Sequence, residues 1–382
     1  MIDFFHSLYY NKLAKRKQIL LPRGYIMKKK LALALSIVMA CGMTLMGCNT
    51  STAESGDAAA TTDAAASTAE TTESTAASGD VVTGGMDGGT SLSFTTGGDQ
   101  GTYYGFGGVL AGKISESTST TVTAITSGGS QANIEALDAG DAELAFVQSD
   151  VMSYAYEGTR LFEELGKMDG FSTVAALYME QVQIVTVDPS IESVADLKGK
   201  NVSIGAAGSG TYFNALDVLE AYGLTEQDIN PTYQSFGDST EALQDGKIDA
   251  AFIVAGAPTT AVTSLATSKE IKVLSLDDEH IKALIDKSPF YSENTIPKDA
   301  YGTADDIKTV AVGAVVIARD DVSEADVYNF MYGVFENVDT ITEAHAKGAE
   351  LDLDFASSVT SVPYHAGAAK YFEEKGITVP TK

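Results

Sequence analysis

The sequence predicts an α/β protein folded as two lobes with a ligand cleft between them. Three observations carry this. Apolar segments of strand length alternate with helical patterns from about residue 91 onward. Polar Gly/Ser/Thr loops recur where such a segment gives way to a helix, at 96–103, 127–133 and 205–211. One nearly unbroken apolar run, Val310–Ala318, comes late in the chain and reads as a strand covered on both faces.

The elements follow in order. Leu92–Phe94, Val122–Ile125 and Leu144–Val147 are short apolar strands, and Tyr104–Glu116 and Gln131–Asp138 are helices between them. In the second helix Ile134 and Leu137 stand three apart on one face, with Ala132 and Ala136 beside them. Thr173–Val187 is a long β-rich run. Val202–Ile204 is a strand that leads through Gly208-Ser209-Gly210-Thr211 into a helix over Tyr212–Tyr222. Ala250–Val254 is a buried strand ending in Gly256-Ala257-Pro258. A helix over Glu324–Val338 carries Tyr328, Met331, Val334 and Phe335 on one stripe. Lobe 1 is expected at 91–187, lobe 2 at 188–307, and a return to lobe 1 with C-terminal helices at 308–382. The chain should cross between lobes near Ile184–Val187 and Ala311–Val315.

The front of the chain says where such a fold works. Met27-Lys28-Lys29-Lys30 is a basic segment, Leu31–Ala40 an apolar one, and Leu45-Met46-Gly47-Cys48 has the form of a lipoprotein cleavage site. A signal peptide at 27–47 is therefore expected, with lipidated Cys48 as the first mature residue. Residues 1–26 fit no signal, which points to a translation start at Met27. Both cysteines, Cys41 and Cys48, lie in this leader, so the mature chain is expected to have neither disulfide nor cysteine metal site. From 48 to 90 the composition is Ser, Thr, Ala and Gly with scattered acids, too poor in large apolar side chains to offset the entropy of ordering. A coil of that kind spans roughly 35 Å and would hold the folded part off a membrane.

The chain carries 25 basic and 52 acidic residues, net −27. Residues 1–47 hold 8 of the bases and 1 of the acids. The remainder thus has 25 less 8 against 52 less 1, a net of −34. Such a surface excludes nucleic acid as a natural partner. Past the leader only Arg160 and Arg319 remain, both read as surface charges, so neutralisation of an anionic ligand falls to helix N-termini.

Several apparent motifs lead nowhere. Gly107–Lys113 has P-loop spacing, but Ile114 stands where a magnesium-binding hydroxyl is needed. Gly205–Gly210 has the glycines of a dinucleotide loop in the wrong order. His6, His280, His345 and His365 lack metal-ligand spacing, and Asp277-Asp278-Glu279 lacks a calcium loop. No nucleophile and base stand together, so the expectation is no enzyme, no cofactor and no metal.

In order and spacing, four groups of residues and one more near the end resemble the TAXI receptors of tripartite ATP-independent periplasmic (TRAP) transporters. They are Gly101-Thr102-Tyr103-Tyr104, Gly129-Ser130-Gln131-Ala132-Asn133, Leu144-Ala145-Phe146-Val147-Gln148-Ser149-Asp150, Gly208-Ser209-Gly210-Thr211 and Tyr364-His365-Ala366-Gly367-Ala368. The resemblance covers Ser91–Pro380. The chain departs from it at Gln100, Gly105 and Ala366. It implies the periplasmic-binding-protein fold of type II and delivery of a carboxylate to a permease driven by an ion gradient. The alternatives are a receptor of an ATP-driven importer and a sensor that does not transport.

Read from the residues, Thr96, Gly97, Gly98, Thr102 and Tyr103 would form one wall of the site. Ser130 and Asn133 open the second helix, and Gln148 and Ser149 end a strand. Ser209, Gly210 and Thr211 would close the site from the other lobe. Backbone N–H groups at helix starts suit a carboxylate, and the Gln and Asn amides suit a further polar group. A glutamate-like amino acid or a dicarboxylate is expected. The expected partners are that solute, a membrane permease, and the outer face of the cell membrane through the lipid on Cys48. Two acyl chains suffice for stable anchoring. Cys48→Ala should therefore move the protein from the membrane fraction to the soluble or secreted fraction, followed by fractionation and immunoblotting; unchanged partitioning would remove the anchor.

Overall fold

A sheet of ten strands runs on from one lobe into the other in the computed structural model, which describes residues 80–160 and 162–382. The leader, Cys48 and the first part of the linker lie outside the described residues. Lobe 1 begins with β1 (Ser91–Thr95), α1 (Thr102–Ser117), β2 (Thr121–Ile125), α2 (Ser130–Ala139), β3 (Leu144–Gln148), α3 (Ser149–Glu157) and α4 (Phe162–Leu165). The long β4 (Phe171–Thr186) leads into lobe 2. There follow β5 (Asn201–Ser203), α5 (Gly210–Ala221), β6 (Asn230–Thr232), α6 (Phe236–Gln244), β7 (Ala250–Ala255), α7 (Thr260–Ser268), β8 (Lys272–Val273), α8 (Asp278–Lys287) and β9 (Ser292–Ile296). The equally long β10 (Ile307–Arg319) returns to lobe 1, where α9 (Glu324–Phe335), α10 (Val338–Ala344), α11 (Leu353–Ala356) and α12 (Ala366–Glu374) pack.

The strand order is β2-β1-β3-β10-β4-β7-β5-β6. In lobe 1, β1 is parallel to β2 and β3, while β10 runs antiparallel to β3 and β4. In lobe 2, β5 is parallel to β6 and β7, and β4 is antiparallel to β7. Two parallel α/β sheets, each completed by the antiparallel strands that cross between them, make the two-lobed fold of the type II periplasmic-binding kind. The crossing on β4 falls earlier than expected. Its residues Phe171 to Gln181 pair with β10, and those from Gln181 to Thr186 pair with β7 on the other edge. The residues named in the sequence reading, Ile184–Val187, already belong to lobe 2. On β10 the change comes at Ala311, the last residue paired with β9, with a register shift between Ala314 and Val315.

Alternation explains why lobe 2 holds its sheet buried on both faces. Val182, Ile184, Ala250, Phe252 and Val254 point to one apolar cluster, and Val185, Ala251, Ile253 and Ala255 to the other. Lobe 1 has one large cluster centred on Phe94, Phe106, Phe146 and Phe330. Phe94 and Phe146 lie 4.9 Å apart, centroid to centroid, and Phe330 meets Phe94 edge-on at 5.9 Å. The helix expected over 324–338 is two helices, because Asn337 leaves the helical conformation and its amide donates to the carbonyls of Gly333 (3.2 Å) and Val82 (3.1 Å). Residues 82–90, which composition assigns to the linker, are tied to the same region. The N–H of Val82 donates to Asn337 at 2.8 Å, that of Met86 to Asn329, and that of Thr90 to Asp326. Polar side chains of α9 and of Asn337 just after it supply the order that a Gly/Thr-rich strip lacks on its own. No described helix is long and apolar enough to cross a membrane.

The lobes are closed on each other. The N–H of Ala132 donates to the Gly208 carbonyl at 3.0 Å, and the Thr102 hydroxyl to the Gly256 carbonyl at 2.8 Å. Behind them lies a polar seam. Asn214 of α5 donates to Asp150 of α3 (3.0 Å) and to the Tyr291 hydroxyl (2.9 Å), which itself donates to Asp217 (3.0 Å). Asp217 is neutralised by Arg160 at 3.0 Å and Lys287 at 3.3 Å. Asp150 is wholly buried and lacks any such cation; one of its oxygens, Oδ1, has no partner. Burial pushes its carboxyl up to about 7, and the charge of Asp217 adds to this. An acid raised in this way gives its full contribution below the ordinary carboxyl range, and the contribution is lost as pH rises through about 7. Asp150→Asn removes that titration. Its melting temperature relative to the parent should be several degrees higher at pH 8 than at pH 5, by circular dichroism. An offset that does not change with pH would refute the argument.

Candidate functional site

Three helices begin at the line where the lobes meet: α1 and α2 from lobe 1, α5 from lobe 2. Their N-caps are Gly101, Gly129 and Ser209, and none of the three is capped by a side-chain hydrogen bond. By contrast α6, beside them, is capped by Ser235, whose hydroxyl accepts from the N–H of Asp238 at 3.1 Å. Uncapped helix starts leave donors and partial positive charge turned toward whatever lies in front. In front of them is a cavity of about 70 Å³. Gly97, Gly98, Thr102, Tyr103, Ser130 and Gln148 line it from lobe 1, and Ser209, Gly210, Thr211 and Phe236 from lobe 2.

Glycine sets how closely the lobes approach. Gly129 has φ +108°, outside the range of ordinary side chains, and a β-carbon there would lie 3.2 Å from the Cα of Ser209. A β-carbon on Gly210 would lie 1.8 Å from Gln148 Oε1 and 3.0 Å from Ser130 Oγ. The glycines at these helix starts therefore serve the contact between lobes as well as the turns.

Two polar atoms in the wall have no hydrogen-bond partner, Gln148 Oε1 and Ser209 Oγ, on side chains that are 2% and 7% exposed. A buried amide oxygen and hydroxyl in this state are costly unless a ligand completes them. The Ser130 hydroxyl accepts from the N–H of Gln148 at 3.1 Å and so holds the end of β3. The Tyr103 ring stacks on Phe146 with centroids 4.7 Å apart, while its hydroxyl donates to Glu180 at 2.7 Å. Tyr104, its neighbour, points outward and is 37% exposed.

Three expected site residues lie elsewhere. Thr96 gives its hydroxyl to the Ile125 carbonyl at 2.7 Å, joining β1 to β2. Asn133 sits one turn into α2 on the side that faces the sheet. Its amide donates to the carbonyls of Thr96 and Phe146, and it accepts from Thr95 at 2.7 Å. Ser149 is past the strand end, and its hydroxyl accepts from the N–H of Gly313 at 3.1 Å. Each is a cross-strand or hinge tie and lies outside the lining of the cavity. Arg160, read as a surface charge, is half of the ion pair to Asp217. His365 caps α12 and reaches the Val322 carbonyl, as a structural histidine does.

Glu180 was not foreseen. It lies on β4 at the crossing, 2% exposed, and lines the cavity. In the sequence it sits within the long run Thr173–Val187, and the one signal it gave was to be the single charge in that run. Among the described residues, no arginine or lysine lines the cavity. Among the described residues, no group of three or more His, Cys, Asp or Glu is placed to hold a metal ion. The arrangement can hold a small polar molecule by hydrogen bonds and helix dipoles.

A protein-family model described as the NMT1-like family matches residues 94–376. Among solved structures, the alkanesulfonate-binding protein SsuA of Xanthomonas axonopodis pv. citri, bound to MOPS, is similar at 16% identity and TM-score 0.42, covering 75% of this chain and 90% of its own. A putative L-cystine ABC transporter protein of Listeria monocytogenes is similar at 16% identity and TM-score 0.42, covering 72% and 99%. The ligand-binding core of GluR0 in complex with L-glutamate is similar at 12% identity and TM-score 0.42, covering 69% and 98%.

The Gly210 contact is open to a direct test. Gly210 is the first residue of α5, where alanine is at least as favourable as glycine for the helix itself. Gly210→Ala should leave the melting temperature of ligand-free protein near that of the parent. It should weaken ligand binding about tenfold or more, a loss of ~1.4 kcal/mol, because Gln148 must leave the cavity wall or the lobes must stay apart. Calorimetric titration with a ligand found for the parent checks this, and equal affinity would refute it.

Proposed function

This chain belongs to the NMT1-like family, and we propose that it is an extracytoplasmic solute receptor that closes on a small carboxylate and hands it to a membrane importer. The observation that carries the reading is the meeting of three uncapped helix starts, from both lobes, on one cavity with the partnerless Gln148 Oε1 and Ser209 Oγ in its wall. Contacts to both lobes exist only in the closed form, so ligand binding and closure are one equilibrium. A glutamate-like amino acid or a dicarboxylate fits the donors. A neutral sugar fits less well, because three helix starts favour a negatively charged group and no tryptophan is present for stacking.

Two importers come into question. The solved structures similar in shape include proteins named for ATP-driven import, and we put that partner first. The motif series read in the sequence supports the ion-gradient-driven TRAP permease, and it is the second reading. Anchoring through Cys48, with the linker as a tether, places the receptor on the outer face of the cell membrane in either case.

Ligand-free protein, prepared by unfolding and refolding, should be screened by thermal shift against amino acids, dicarboxylates, 2-oxoacids, sugars and phosphate. At about 1,000 times the dissociation constant a ligand adds ~4 kcal/mol, which moves the midpoint by several degrees. Carboxylates are expected to give the shift, and Ser209→Ala should reduce it. A shift with a sugar and with no carboxylate would overturn the reading. Uptake in proteoliposomes holding a candidate permease of either kind then decides the partner: dependence on ATP supports the first, dependence on an imposed ion gradient the second.

A further inference from the structure

We propose that Glu180 is a cation subsite of the cavity, so that the ligand is a zwitterion of the amino-acid type, its carboxylate on the helix starts and its ammonium on Glu180. This rests on the reading of the cavity as a ligand site and narrows it.

The geometry singles Glu180 out. Its carboxylate is buried, and among the described residues it is the one charged group in a wall of glycines, hydroxyls, the Gln148 amide and apolar side chains such as Phe236 and Val254. The Tyr103 hydroxyl fixes one oxygen, Oε2, at 2.7 Å. Among the described residues no basic side chain is within ion-pair distance of either oxygen. The basic group nearest in influence, Lys347, is engaged with Glu350 and stands over the Tyr178 ring at 5.5 Å. A buried carboxylate held by one neutral donor is an expensive group to keep, and an ammonium supplies what it lacks. The polarity also runs the right way. Helix N-termini favour the negative end of a ligand and Glu180 the positive end, so a dipolar molecule meets both.

The groups facing Glu180 are Tyr103 on α1, Tyr178 on its own strand, Asp150 on α3, and Lys347 on the segment after α10. Burial pushes the Glu180 carboxyl up to about 8; the Tyr103 bond and the Lys347 charge pull it down, and Asp150 pushes it further up. With the lobes closed and no cation beside it, burial therefore favours the protonated carboxyl at pH 7. When an ammonium group arrives, the proton leaves Glu180 for the solvent and the carboxylate and ammonium pair; no covalent bond to the ligand forms or breaks. Binding should release about one proton from this group.

The full chain should be titrated calorimetrically at pH 7 with α-amino acids, each paired with the acid that lacks the amino group: L-glutamate with glutarate, L-alanine with propionate, L-leucine with 4-methylpentanoate. Each titration is run in phosphate and in Tris, whose ionisation heats differ. The amino acid of the preferred pair is expected to bind about 100-fold more tightly than its partner. Glu180→Gln keeps the bond to Tyr103 and should cut that preference to below about tenfold. The proton count of the parent minus that of the variant should be about one released, a difference that removes the contribution of Asp150. If Glu180→Gln fails to fold, Glu180→Asp should keep the preference at lower affinity. Equal binding of both members of each pair, or a preference unchanged in Glu180→Gln, would overturn the cation subsite while the carboxylate receptor stands. No binding by any member of the panel would overturn both.

Discussion

The bond from the Ala132 N–H to the Gly208 carbonyl joins the first turn of α2 to the loop before α5, and so joins the two lobes backbone to backbone. Side chains play no part in it. It forms only because Gly129 and Gly210 leave room for helix starts to meet almost in contact. Everything else at the cavity follows from that approach. The helix N-termini converge, Gln148 and Ser209 lose access to water, and the seam from Asp150 to Asp217 is shut behind them. The cost of these buried polar groups is set against a closed state that a ligand would complete.

Two long strands make that closure possible without loss of core. β4 and β10 each belong to both halves of the sheet, so the lobes pivot on continuous, hydrogen-bonded chain. Each lobe keeps its own apolar clusters, and the contact between lobes is polar apart from a few side chains such as Phe213. A polar contact can be wetted and remade at modest cost, where an apolar core cannot.

The alternation of strand and helix was legible because lobe interiors impose periodicity on the chain, as in β4, β7 and β10. The glycine-rich loops were legible for the same reason that they work, namely that few other residues fit a sharp strand-to-helix turn. Direction was not legible. Asn133 and Ser130 are three apart on one helix, yet one ties strands together and the other faces the cavity. Gln148 and Ser149 are adjacent, and the strand end sends them to opposite sides. Glu180 was hidden because nothing local marks a lone acid in a β-rich run as facing a cleft. Its meaning comes from lobe 2 being folded against it. The break at Asn337 likewise depends on Val82, more than 250 residues away.

Residues 82–90 are bound to α9, and the last residues of the chain, through Thr381 and Lys382, are bound to the strand region of lobe 1 at Tyr364 and Asp320. Lobe 2 is thus a loop of chain that leaves lobe 1 by β4 and returns by β10. Tension applied between the two ends is borne within lobe 1 and does not load the hinge. A receptor pulled by its N-terminal side would swing as a body while its cleft opened and shut undisturbed, and lobe 1 would serve as the fixed jaw.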